Sequence, residues 1–252
     1  MTEKRTAKVQ YKVISDTHFW HRHIALYVPD RARAFGFKIR DAPMGYTSKQ
    51  IKEYGDAWTR TPEWEASLAH MSNHMMDILV DQSTDDDVLY FLGDLSFQFG
   101  TYKDWLAERL SDVKGEMRWI LGNHDSVLDK YGEVRPTAQK VVDNFAFVGQ
   151  ADYKQYHGKH VFFSHYPLHI PAADKSRLVS IHGHTHGSID NPVGRIDVGV
   201  DSLYGLSNNY PELVDGKISN YSFEPISLRT AMELAEMELP AAYDAGEGEI
   251  TF

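Results

Sequence analysis

Short apolar runs, typical of buried strands, recur along the chain and are separated by polar or amphipathic segments. Seven runs stand out, at residues 9–14, 88–92, 117–121, 145–148, 161–163, 178–181 and 195–200. Between the first two, an apolar residue recurs every three or four positions, which predicts one face of a helix. The residues on that face are Trp64, Leu68, Met71, Met75 and Ile78. Strand signals that alternate with helix signals predict an α/β fold.

Local sequence signals also predict where helices, an insertion and the domain begin and end. Thr61 and Pro62 precede this helix as a capping residue and a proline at the first helical position. A second helix is predicted at residues 102–110. Residues 19–61 hold several prolines and glycines, which predicts an irregular insertion or lid. We therefore expect one domain over residues 1–228 that contains this insertion, followed by an acidic C-terminal helix and tail over residues 229–252.

The composition excludes several classes of protein. The chain has 252 residues, of which 42% are hydrophobic, and this is enough apolar material for a sizeable core. It has no cysteine, so disulfide scaffolds and thiolate zinc sites are excluded. The longest apolar runs are far shorter than the roughly 20 residues of a membrane span, and the first residues lack the apolar core of a secretory signal. We expect a cytoplasmic protein with no membrane partner; the oligomeric state stays open.

Charge is distributed unevenly along the chain. The formal net charge of −10 argues against binding of extended nucleic acid. Residues 21–40, however, hold five basic residues and one acid, so this segment could supply a phosphate contact at the mouth of a site. We expect four of them, Arg31, Arg33, Lys38 and Arg40, to set the affinity for multiply charged substrates without affecting the chemical step.

Polar side chains that bind metals follow five of the predicted strands. They are Asp16 and His18, then Asp94, then Asn123 and His124, then His165, and finally His184 and His186. Because sites in open α/β sheets lie at the carboxyl ends of strands, these distant groups can form one site. Imidazole, carboxylate and amide ligands suit Mn²⁺, Fe²⁺, Ni²⁺ or Zn²⁺ better than Ca²⁺ or Mg²⁺. Without His124 there are seven ligands, a number that suits two ions that share a carboxylate, an arrangement used for displacement at phosphorus.

The order of these motifs resembles that of a known enzyme superfamily. Asp-x-His, Gly-Asp, Gly-Asn-His-Asp, an isolated His and Gly-His-x-His follow one another between residues 16 and 186. This order resembles the calcineurin-like metallophosphoesterases, and the fragments at 15–21, 91–94 and 120–125 look most like the small bacterial and phage-borne members. The resemblance implies a four-layer αββα sandwich, in which helices flank two mixed β-sheets.

The resemblance also implies a role for each residue. Asp16, His18, Asp94 and His186 would hold a first ion, and Asp94, Asn123, His165 and His184 a second. Both would be divalent transition metals, with Mn²⁺ the first choice and Fe, Ni or Zn as alternatives, and a bridging hydroxide would attack the phosphorus. His124 would be the general acid, and Asp125 is a catalytic candidate that could orient it. His21 and Arg22 are the candidates for substrate binding.

Hydrolysis of phosphodiesters is the favoured activity. Leu-Ser-Phe at residues 95–97 follows the Gly-Asp motif, where protein phosphatases have an arginine that clamps a phosphomonoester. A phosphomonoesterase acting on nucleotides or small phosphates, and a nuclease acting on short nucleic-acid ends, stay open as alternatives. A non-catalytic binding module would not need all seven ligands. The expected partner is therefore a small or nucleotide-like phosphoester.

Overall fold

Two β-sheets and nine helices make up the part of the chain that the structure describes. The structure is a computed structural model, and it describes residues 9–38, 48–218 and 223–242. The strands are β1 (Gln10–Ile14), β2 (Asp87–Phe91), β3 (Glu116–Ile120), β4 (Phe147–Gly149), β5 (Ala151–Tyr156), β6 (Lys159–Ser164), β7 (Leu178–His182), β8 (Arg195–Asp197) and β9 (Ile226–Ser227). The helices are α1 (Ile24–Tyr27), α2 (Pro29–Ala34), α3 (Ser48–Thr59), α4 (Pro62–Asp81), α5 (Phe99–Ser111), α6 (Gln139–Val142), α7 (Val200–Asn209), α8 (Pro211–Val214) and α9 (Leu228–Ala235).

Both sheets are mixed. The first has the order β4-β3-β2-β1-β9, in which β1 to β4 are parallel and β9 is antiparallel to β1. The second has the order β5-β6-β7-β8, in which β6 to β8 are parallel and β5 forms an antiparallel hairpin with β6. This arrangement confirms the predicted α/β fold with two mixed sheets.

Alternate residues of the central strands supply two hydrophobic cores. On β2, Leu89 and Phe91 belong to a core with the apolar faces of α4 and α5. Tyr90 and the following Leu92 belong to a second core with β6, β7, α7 and α9. In that core the ring of Tyr90 stacks on Phe163 of β6 at 4.1 Å between centroids, so the two sheets face each other.

The helix predicted from residue 62 is confirmed. The Thr61 hydroxyl caps α4 by accepting a hydrogen bond from the Trp64 amide at 3.2 Å. The segment at 19–61 is less irregular than expected, because α1, α2 and α3 lie within it and apolar residues such as Ile24 and Ile51 are buried. Whether this segment acts as a lid stays a prediction.

The C-terminal part that the structure describes belongs to the core between the sheets. Helix α9 buries Leu228, Ala231 and Leu234 there, against β1 and β8. The domain boundary expected at residue 228 stays a prediction, and the acidic tail from residue 243 onward lies outside the described residues. None of the helices in the described part of the chain combines the length and the apolar character needed to cross a bilayer.

Candidate metal centre

The carboxyl ends of parallel strands from both sheets meet at one edge of the structure. Strands β1, β2 and β3 end there in the first sheet, and β6 and β7 end there in the second. Ser15, directly after β1, forms a parallel bridge with Gly199, which follows β8, and this bridge joins the two sheets. The seven predicted ligands therefore come together although they span 171 residues of sequence, from Asp16 to His186.

Three of the predicted ligands form a first cluster. The Nε2 atoms of His18 and His186 lie 3.2 Å apart. One carboxylate oxygen of Asp16 is 4.0 Å from Nε2 of His18 and 3.8 Å from Nε2 of His186. All three side chains are buried.

Three others form a second cluster. The amide oxygen of Asn123 lies 3.0 Å from Nε2 of His165 and 3.0 Å from Nδ1 of His184. The two ring nitrogens are themselves 3.2 Å apart. Two imidazoles and an amide oxygen thus face the same small volume.

Asp94 connects the two clusters. Its Oδ2 atom lies 3.5 Å from Nε2 of His18 in the first cluster and 3.5 Å from Nε2 of His165 in the second. The ligand atoms of two overlapping trios lie within 4.8 Å of one another, namely Asp16, His18 and His186, and Asp16, Asp94 and His165. A carboxylate in this position can be shared by two cations.

The hydrogen bonds of two ligand histidines and the lowered pKa of a third suit a metal. Nδ1 of His165 is 2.8 Å from the Leu92 carbonyl, and Nδ1 of His186 is 2.6 Å from the Asp201 carboxylate. If each Nδ1–H donates there, the Nε2 lone pair faces the cluster. Burial lowers the pKa of His184 to about 4, which keeps its ring neutral at pH 7. In their neutral forms, imidazoles beside carboxylates are a donor set that fits a divalent transition metal.

The ligand loops have an unusual backbone. Eight non-glycine residues in the described part of the chain have positive φ, and five of them are predicted ligands. These are Asp16 (56°), His18 (47°), Asp94 (52°), His184 (70°) and His186 (48°). Such conformations cost about 1–3 kcal/mol each and cluster at functional sites. In each Asp-x-His or His-x-His pair, this backbone lets both side chains face the cluster.

Two glycines make room for the ligands. Gly93 has φ of +100°, and a Cβ there would lie 2.4 Å from Nδ1 of His165. A Cβ on Gly122 would lie 2.2 Å from Oδ1 of Asp94. Neither distance is possible for a real side chain, so the clusters require glycine at both positions.

Asp125 contacts the backbone of the ligand loops, and its expected role in orienting His124 stays a prediction. Its carboxylate accepts hydrogen bonds at 2.8 to 3.2 Å from the backbone N–H of Asp94, Leu95 and Gly122 and from the Trp119 indole. Burial and the neighbouring Asp94 raise its pKa to about 7. These bonds tie the loop after β3 to the loop after β2, so Asp125 positions the ligand loops.

His124 lies at the edge of the clusters. Its backbone N–H donates to Asp94 at 2.9 Å, and its Nε2 is 3.9 Å from Oδ2 of Asp94. Its ring contacts those of His18, His21 and Phe97, and burial lowers its pKa. A partly exposed imidazole beside the shared carboxylate can reach a group bound between the clusters.

The two substrate-binding candidates lie side by side in the same region. The buried ring of His21 stacks on Phe97 with 4.0 Å between centroids, and its Nδ1 has no hydrogen-bond partner. The Arg22 guanidinium donates to the Thr59 carbonyl at 3.1 Å and pairs with Glu65. Their contact with substrate stays a prediction.

The sequence analysis missed one residue of the site, Asp201, and did not predict the position of another, Arg31. Asp201, in the first turn of α7, accepts the hydrogen bond from His186, and it could have been found because it directly follows a predicted strand. Arg31, with 0% exposure, binds both oxygens of Asp201 at 2.9 and 2.6 Å. It also donates at 2.9 Å to the carbonyls of Asp16 and Thr17.

Arg31 is therefore not available to attract a charged substrate as expected, because its guanidinium is buried and makes four hydrogen bonds within the protein. Although burial opposes the charged form, Arg31 lowers the pKa of Asp201. Arg33 is exposed and pairs with Asp30, Lys38 is exposed, and Arg40 lies outside the described residues.

A comparison with known protein families shows to which family the chain belongs. The calcineurin-like phosphoesterase family matches the chain over residues 10–225, which include every predicted ligand. The chain belongs to this family. Membership implies a metal-dependent phosphoric ester hydrolase, and the buried Asp and His clusters of this phosphoesterase provide a site for divalent ions.

Other comparisons add little about the phosphoesterase. A crystal structure of a protein of unknown function from Aquifex aeolicus is similar, with 19% identity and a TM-score of 0.49 over 90% of this chain and 100% of that one. No curated protein matches the sequence significantly.

Replacement of Arg31 by methionine should lower the free energy of unfolding by about 3–5 kcal/mol, because it leaves the Asp201 carboxylate buried without its cation. Arg33→Met is the matched control, since Arg33 lies on the same helix with a 60% exposed side chain and should cost less than about 1 kcal/mol. Urea unfolding of the three proteins measures both values. Equal losses in the two variants would contradict a structural role specific to Arg31.

Proposed function

We propose that this phosphoesterase hydrolyses phosphodiesters with two divalent transition-metal ions. Asp16, His18, Asp94 and His186 would hold the first ion, and Asp94, Asn123, His165 and His184 the second. The observation that supports this most directly is the position of Asp94, whose Oδ2 is 3.5 Å from a histidine nitrogen of each cluster. Nitrogen and oxygen ligands together suit Mn²⁺, Fe²⁺, Ni²⁺ or Zn²⁺, of which we take Mn²⁺ as the first choice.

Bound ions of this kind lower the pKa of a water molecule and stabilise negative charge at phosphorus. Residues of the protein itself would position the ligand loops and assist the leaving group. Asp125 and Arg31 hold the ligand loops in place through their backbone contacts. His124, at the edge of the clusters, would donate a proton or a hydrogen bond to the departing oxygen.

The surroundings of the clusters favour a diester over a monoester. A phosphomonoester carries more charge and would profit from a further cation. The residues after Asp94 supply none, since Leu95 and Ser96 are buried and Phe97 is apolar. The nearby arginines are already paired, Arg31 with Asp201 and Arg22 with Glu65.

A panel of substrates tests this proposal. The Mn²⁺-loaded protein should hydrolyse bis(p-nitrophenyl) phosphate faster than p-nitrophenyl phosphate, and chelation should abolish both activities. Preference for the monoester, or for the ends of single-stranded oligonucleotides, would replace this proposal with one of the two alternative activities. Full activity after exhaustive chelation would contradict the metal-dependent mechanism.

Asp94→Asn should weaken the binding of both ions, because Asp94 is the shared ligand, whereas His186→Ala should weaken mainly one. Elemental analysis and calorimetric titration with Mn²⁺ measure the two affinities, and circular dichroism checks that the variants fold. Asp85→Asn, which removes an exposed carboxylate, is the control. Two tightly held ions in Asp94→Asn would overturn the shared position.

His124→Asn should keep both ions and lose activity in proportion to the difficulty of the leaving group. General acid catalysis contributes about 10²–10⁴-fold, and a nitrophenolate, unlike an alkoxide, leaves readily without a proton. Rates on diesters of graded leaving-group acidity should therefore fall more steeply in the variant than in the wild type. Loss of the ions would make His124 a ligand, and a uniform loss of rate would assign it to binding the phosphate or the nucleophile.

A further inference from the structure

Two exposed aromatic side chains border the ligand clusters. The Phe97 ring is 43% exposed and lies 5.0 Å from the His124 ring. The Tyr166 ring is 49% exposed and lies 4.6 Å from the ring of His184 and 5.2 Å from that of His165. Exposed rings at the mouth of a site can stack on planar groups of a ligand.

The two rings lie beside different clusters. His124, next to Phe97, contacts the ring of His18 in the first cluster. Tyr166 contacts both histidines of the second cluster. Since Asp94 lies between the clusters, a phosphate bound over Asp94 would have one aromatic ring beside each cluster. A phosphodiester has an organic group on each of two phosphate oxygens, whereas a monoester has only one.

A cavity of about 280 Å³ adjoins Phe97 and His21. This volume is near the lower end of small-molecule pockets, about 300–1,000 Å³, so it suits one small group. Arg22 and Arg60 line it, but they pair with Glu65 and Asp56 respectively. A cavity with paired charges and an aromatic wall suits an uncharged planar group with polar edges better than a second phosphate.

We propose that the substrate carries a nucleoside on each side of the scissile phosphate, with one base stacked on Phe97 and the other on Tyr166. The leaving nucleoside lies on the Phe97 side, because His124 lies there. The proposal rests on the phosphodiesterase function proposed above and specifies its substrate class. Stacking on aromatic side chains tolerates any base, so the expected preference is for dinucleoside phosphates of any sequence.

Dithymidine phosphate and its two abasic analogues, each lacking one base, test the proposal. With the Mn²⁺-loaded wild type, loss of either base should lower kcat/KM about 10-fold to 100-fold, which is the range of one base–aromatic stack. The products show which nucleoside leaves. Calorimetric binding of non-hydrolysable methylphosphonate analogues of the same three compounds makes the comparison independently of turnover.

Replacement of either aromatic ring should remove the preference for one of the two bases only. Phe97→Leu should cleave dithymidine phosphate and the analogue that lacks the base of the leaving nucleoside about equally well. Tyr166→Leu should cleave dithymidine phosphate and the analogue that lacks the base of the retained nucleoside about equally well. The effect should lie mainly in KM, with the metal content unchanged. Tyr153→Leu is the matched control, since Tyr153 is also 49% exposed but lies on β5, and it should keep both preferences.

Equal kcat/KM and equal affinity of the wild type for all three compounds would overturn the proposal. So would variants that lose activity by the same factor on intact and abasic substrates, because Phe97 would then only support His21 and His124. Failure to hydrolyse any diester, including bis(p-nitrophenyl) phosphate, would refute the phosphodiesterase function instead. The binding comparison would then still decide whether the two rings recognise bases.

Discussion

The buried ion pair between Arg31 and Asp201 determines how the first ligand cluster is built. A guanidinium loses several kcal/mol of hydration when it is buried, so its burial is tolerated only with nearly complete hydrogen bonding. Asp201 supplies two of its bonds, and the carbonyls of Asp16 and Thr17 supply two more. Asp201 in turn accepts the His186 hydrogen bond. Helix α2, helix α7 and two ligand loops are thus held together by one cation.

This network explains how a strained backbone is kept in place. Five predicted ligands adopt the left-handed conformation, and nothing local favours it in Asp or His beyond their modest tolerance of that region. Hydrogen bonds to neighbouring loops hold this backbone conformation instead. The backbone N–H of Asp16 donates to the Gly93 carbonyl at 3.1 Å, and that of His18 donates to the Asp94 carbonyl at 2.9 Å. The carboxylate of Asp125 fixes the loops after β2 and β3 in the same way.

The fold and the set of side chains that come together at the site could be predicted because their signals are local. Each apolar run with its polar successor predicts a strand and a ligand, and the parallel order of the strands brings those successors to one edge. Strand β5 was missed because its side chains alternate between exposed and half-buried, which leaves no apolar run. Helices α1 to α3 were hidden by the prolines and glycines of their segment, although Pro29 begins a helix there.

The role of Arg31 could not be predicted, because its partner lies 170 residues away in the sequence. The charges along residues 21–40 indicate a basic segment, but in the folded protein acidic partners neutralise much of its positive charge. Arg31 pairs with Asp201, Arg33 with Asp30, and Arg22 with Glu65. The region around the clusters therefore offers less positive charge to a ligand than the sequence suggests. The proposed phosphodiester, with a single negative charge and uncharged groups on both sides of phosphorus, would suit such a site, since among the described residues Arg22, Arg31 and Arg33 already have acidic partners.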